Sequence, residues 1–170
     1  MSGTAKSNVE LGNLLADFSF DALEAQFMRD GDAGGLMEHP EDLGKVRCGD
    51  HPGSVWHVER VKAILALHGV SWGALAQSDF GAPYPKPTRL LGHLLGLHNL
   101  VHVGAPSFDK DGFYAGPLLD KPRPPAMKVG KVAGTNDKFN TESTAAYPPL
   151  MCEAIAKDIV EHFHILDGRS

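Results

Sequence analysis

The sequence predicts an α/β layered fold, a small sheet with helices packed on it, followed by a loop-rich C-terminal half. Two observations carry this expectation. Over residues 19–92, segments with apolar residues at helical spacing alternate with short extended segments, the rhythm of a layered α/β chain. Beyond them Gly, Pro and Asp recur every few residues, and the 170-residue chain holds 19 Gly and 12 Pro, well above average usage.

The elements follow in order. Residues 1–18 are small and polar at first with weak periodicity, so a flexible start is expected. Phe20, Leu23 and Phe27 sit at helical spacing behind a Ser19 cap, with Gly31 just past the end. Gly34-Gly35-Leu36-Met37-Glu38 reads as a buried strand ended by His39-Pro40, because a residue before proline prefers extended backbone. Val58, Val61, Ile64 and Leu65 mark a helix begun near Ser54 and stopped at Gly69. Val70, Trp72, Ala74 and Ala76 alternate along a second strand, and Thr88-Arg89-Leu90-Leu91 forms a third. In the loop-rich basic segment 93–147, only Leu94–Val101 has a helical pattern, and Leu119–Pro125 reads as an extended proline-rich crossing. A closing helix spans 148–167, with Pro148-Pro149 in its first turn, Ile155, Ile159 and Phe163 as its apolar stripe, and Gly168 past its end.

Composition narrows the class. With 42% hydrophobic residues the chain can build one core. No apolar run approaches the roughly 20 residues of a spanning helix, so no membrane is expected. Cys48 and Cys152 are too far apart in sequence for a disulfide framework or zinc spacing, and no secretory signal is read at the start. An intracellular setting, cytoplasmic or nuclear, with reduced thiols follows. Charge is uneven: residues 1–83 hold six Lys/Arg against twelve Asp/Glu, whereas residues 84–131 hold seven against three. A basic middle in an acidic chain can attract phosphates, or can simply be a solvated loop.

Candidate chemistry is thin. His98 and His102 stand one helical turn apart, with His93 nearby, but the surroundings offer too few further ligands, so no metal is expected. No Gly-x-Ser-x-Gly, dinucleotide fingerprint or P-loop occurs. Cys48 lies beside Lys45 and Arg47, which would favour its thiolate, and Cys152 reads as a small core residue. The densest run is 78–90, where three prolines stiffen a loop carrying Tyr84, Lys86, Thr88 and Arg89. It suits a phosphate backbone, where each cation positions the ligand, or it braces a crossover between strands.

Three stretches in this order, Leu36-Met37-Glu38-His39-Pro40, Ser54-Val55-Trp56 and Phe80 through Arg89, resemble the later half of a cytosine-C5 DNA methyltransferase-like domain of the divergent kind found in mobile-element-like proteins. Tyr114-Ala115-Gly116-Pro117-Leu118 and Thr144 through Cys152 extend the likeness over about residues 35–160. The resemblance implies a partial Rossmann-like methyltransferase fold. It implies that Glu38 holds the position of the glutamate that protonates the cytosine ring. It also sets Lys86, Thr88 and Arg89 on a loop bracing the site beside nucleic acid. The Gly-rich cofactor turn and the Pro-Cys nucleophile of the family do not occur in this sequence, His39 replaces the usual asparagine, and Asp120-Lys121-Pro122-Arg123 replaces a Cys/His patch.

The expected function is therefore a methyltransferase-like half-domain, non-catalytic alone. It would use S-adenosylmethionine only if the missing half were supplied, by a protein partner or by adjoining sequence. It would contact DNA or RNA weakly through Lys86, Thr88, Arg89, Arg123, Lys128 and Lys131. The rival is a protein-interaction module that docks through Trp56, Trp72, Tyr114 and Tyr147. A metal-dependent enzyme using His93, His98 and His102 is the third reading.

Overall fold

The computed structural model describes residues 3–29, 33–45, 52–83, 85–118 and 146–168. Tyr84, Cys48, Arg123, Lys128, Lys131 and the proline-rich crossing lie outside the described residues. The chain is mixed α/β with a small antiparallel sheet. Helix α1 (Gly3–Arg29) leads to β1 (Gly35–Pro40), then α2 (Glu59–Leu65), β2 (Ser71–Ala76) and β3 (Pro87–His93). A single turn α3 (Leu97–Leu100), the short strands β4 (His102–Val103), β5 (Ser107–Phe108) and β6 (Tyr114–Gly116), and α4 (Pro149–Leu166) complete the order.

The sheet order is β1-β3-β2-β4, and every pair is antiparallel. The adjacent parallel strands expected of a Rossmann-like sheet are thus absent among the described residues. Because β1 and β2 each run opposite to β3, they run parallel to one another, with α2 in the connection between them. The arrangement is a β-α-β crossover opened by one strand, into which the 77–86 loop returns β3.

That loop sets β3 in the middle, and its sequence suits the position. Thr88 through His93 are all buried, as a strand covered on both faces requires. Leu91 packs with Phe20, Leu23 and Phe27 of α1 and Val61 and Ile64 of α2. Its neighbour Leu90 points the other way, into a cluster with Leu75, Leu94, Leu97 and Met151 of α4. Helices therefore cover both faces, giving three layers.

Helix α1 begins at Gly3, not behind Ser19, whose hydroxyl donates to the Leu15 carbonyl inside the helix at 2.9 Å. The expected flexible start at 1–18 is helical from Gly3 onward. The segment expected as a helix over 94–101 narrows to the four residues of α3. The closing helix forms where expected, but its buried face is Met151, Asp158 and His162, while Ile159 and Phe163 are exposed. Backbone donors explain this polar contact. The Leu95 N–H donates to His162 Nδ1 at 3.3 Å, and the Gly96 N–H bonds the Asp158 carboxylate. Burial pushes the Asp158 carboxyl above its ordinary value against the pull of that bond. Among the described residues no helix is long and apolar enough to cross a membrane.

Candidate functional site

The antiparallel register places the end of β1 beside the start of β3, with Pro40 opposite Thr88 and Glu38 opposite Leu90. Segments far apart in sequence meet there. After Pro40 the chain turns so that the Glu41 N–H donates to the Pro87 carbonyl at 3.1 Å. Ser54 caps a single 3-10 turn, its hydroxyl accepting from the Trp56 N–H at 3.3 Å. This aims the buried Trp56 indole so that its N–H donates to the Pro40 carbonyl at 2.7 Å. The His39 ring stands edge-on to Trp56, with centroids 5.9 Å apart.

Side chains alternate along each strand, so the site has two sides. On the α4 side lies Glu38, half-buried. Tyr147, just before α4, donates its phenol proton to Glu38 Oε2 at 2.6 Å. Lys86 sets its ammonium 5.4 Å from the centre of the Tyr147 ring, a cation–π contact. Lys86 has φ 37°, a left-handed conformation that L side chains rarely adopt, held between Pro85 and Pro87. The Tyr147 phenol is pushed up to about 12 by burial, by its bond to Glu38 and the charge there, and by Cys152.

The α2 side holds Arg89. Its guanidinium pairs with Glu41 through two bonds of 3.2 and 2.8 Å, donates to the Gly104 carbonyl at 2.5 Å, and lies 4.6 Å from the centre of the Trp72 ring. Both charged side chains are wholly enclosed. Burial raises the Glu41 carboxyl above its ordinary value, while the Arg89 bond and charge oppose that rise. Next to it, Asp42 accepts from the Gly44 N–H at 2.8 Å and bonds His57 Nε2 at 2.5 Å. Thr88 is buried too, accepting from the Gln77 amide at 3.0 Å and donating to the Lys86 carbonyl at 3.1 Å.

The residues read from the sequence thus separate. Glu38 and Lys86 come together at one rim. Thr88 and Arg89 serve the interior, and a phosphate would reach neither without breaking the bonds just described. Trp56 and Tyr114, expected as exposed docking aromatics, are 3% and 6% exposed; Trp72 is half-buried, and Tyr147 alone of the four is exposed. Cys152, expected in the core, is exposed. His93 packs against His162, with ring centroids 5.3 Å apart, while His98 and His102 face outward. No metal-holding group of His, Cys, Asp and Glu occurs among the described residues.

Two site residues were missed as such. Tyr147 reads from the sequence as a docking aromatic and as part of the resembling stretch Thr144 through Cys152, but nothing in the sequence makes it the partner of Glu38. Glu41 belongs to no motif, yet an arginine inside the buried run 88–93 requires an acidic partner. Comparison with family models, curated proteins and solved structures finds no match.

Proposed function

We propose that the chain is a methyltransferase-like half-domain, non-catalytic on its own, that contacts nucleic acid at the rim formed by Lys86 and Tyr147. One observation carries this reading: four of the stretches on which the resemblance rests, those with Glu38, Trp56, Lys86 and Tyr147, meet at one end of the sheet. The opened β1–α2–β2 crossover with helices on both faces also suits the last part of a mixed α/β sheet. Glu38, held by the Tyr147 phenol, is a carboxylate placed to hold or pass a proton. A methyl carrier and a sulfur nucleophile would come from the missing half of the domain. β1 offers a place for it, since among the described residues β3 is its single strand neighbour, and such an edge can accept a further strand. An intracellular setting, cytoplasmic or nuclear, belongs to the same proposal.

The rival, an interaction module without nucleic-acid contact, is favoured by the enclosure of Thr88 and Arg89. Lys86→Ala distinguishes the two. Fluorescence anisotropy of a labelled duplex and a labelled single strand, titrated at several salt concentrations, is expected to show weaker binding. The salt slope is expected to flatten by about one unit, because one phosphate contact is removed. Affinity and slope equal to those of the original chain would leave the interaction module standing.

A further inference from the structure

The core-facing side of α1 is carried by Ala16, Phe20, Leu23 and Phe27. At 100° per residue, a second stripe lies on the opposite side: Leu11, Leu15, Phe18, Ala22 and Ala25, all exposed. The steps between them alternate four and three, the heptad spacing of a two-stranded helical seam. Leu14 flanks the stripe. We propose that this outward face of α1 pairs with the same face of a second copy of the chain.

Area and charge both select that occupant. Leu11, Leu14, Leu15 and Phe18 are 55%, 65%, 57% and 70% exposed. Together they present on the order of 500 Å² of apolar surface, comparable to the largest patch on an ordinary monomer. Two copies face to face bury about 1,000 Å², the size at which a specific interface becomes credible. Of the acidic groups beside the stripe, Asp17, Asp21 and Glu24 already face Arg60 of α2, which lies 3.9 Å from Asp17 and 2.7 Å from both Asp21 and Glu24. The other flank, Gly12, Ser19 and Gln26, carries no charge. Nothing here recruits a basic partner, whereas a stripe of this kind is complementary to itself under a two-fold rotation.

The test is sedimentation equilibrium of the full chain from about 1 to 100 µM, with the stripe interrupted by Leu15→Lys and Phe18→Lys. The original chain is expected to approach twice 18.2 kDa. The double variant is expected to associate at least tenfold more weakly, with an unchanged circular dichroism spectrum. Ile159→Lys with Phe163→Lys, on the exposed side of α4, is expected to leave association intact. An independent readout avoids any folding defect. In a Cys48→Ser, Cys152→Ser background, Leu15→Cys should form an interchain disulfide under mild oxidation, and Lys62→Cys should not. A monomer at the highest concentration overturns the proposal, as does association lost through the α4 pair. Equal cross-linking from both cysteine positions overturns it too.

Discussion

Arg89→Ala is expected to lower the unfolding free energy by about 3–5 kcal/mol, because it leaves a buried carboxylate without its counter-charge. Glu41 and Arg89 have no solvent access through their side chains, so water cannot replace the lost partner. The variant also abandons the Gly104 carbonyl and the face of Trp72. Replacing both charges, Arg89→Met with Glu41→Leu, should restore much of the loss, since the pair's desolvation cost disappears with it. The pH dependence follows from the raised Glu41 carboxyl. An acid whose value is raised in the folded state favours the folded protein when protonated, and that contribution is lost as pH rises through the folded value. Without Arg89, whose bond and charge lower it, the carboxyl rises further. The deficit of Arg89→Ala is therefore smallest in acid and grows toward neutral pH. Urea titrations at acid and neutral pH measure both. A loss below about 1 kcal/mol would place the pair among solvent-screened surface bridges.

Gly92→Ala should be nearly as damaging for its size, by about 3 kcal/mol. Gly92 lies opposite Leu36 in the β1–β3 ladder. A methyl group there would run into the Gly35 carbonyl oxygen and the Leu36 Cα, which are backbone atoms and cannot rotate away. The strands must separate or lose register. Since β1 carries Glu38 and Pro40, the damage should reach the site. Hydrogen exchange is expected to show lost protection over residues 36–39 and at the Trp56 indole N–H, whose acceptor is the Pro40 carbonyl. Exchange unchanged in β1 would mean that the close approach at Gly92 does not set the ladder.

These two residues mark what the sequence could and could not reveal. The strands were legible because β2 and β3 lie between clear stops, Gly69 with φ 74° before one and the proline loop before the other. Their pairing was not, since β1–β3 contacts join residues about fifty positions apart. The first half of α1 was hidden by having apolar residues on two opposite faces, which blurs a single helical period. In α4 the sequence offered Ile155, Ile159 and Phe163 as the inward stripe. The fold packs Ile155 against the Leu90 cluster but buries Asp158 and His162 in place of Ile159 and Phe163, because the 94–97 turn supplies two backbone donors that no periodicity records. Arg89 read as a surface cation for the same reason: its carboxylate partner is 48 positions away. At the site, Glu38 stood out through resemblance to a family and Lys86 already through its proline-stiffened loop, whereas the joining of both by Tyr147 is visible only in the fold.

The joining of Glu38, Tyr147 and Lys86 can be measured through the phenol itself. With carbon-13 in the tyrosine rings, NMR follows the ionisation of each tyrosine separately as pH is raised. Tyr147, held at about 12, favours the folded state below the ordinary phenol value, and that contribution is lost as pH rises from about 10 through about 12. Its resonance should remain that of the neutral phenol near pH 11, where an ordinary tyrosine is about nine-tenths ionised. Glu38→Gln removes the neighbouring charge and should move the transition down toward the ordinary value. A Tyr147 that titrates near 10 in the original chain, and does not respond to Glu38→Gln, would show that Tyr147 and Glu38 are not joined and that these motifs do not meet.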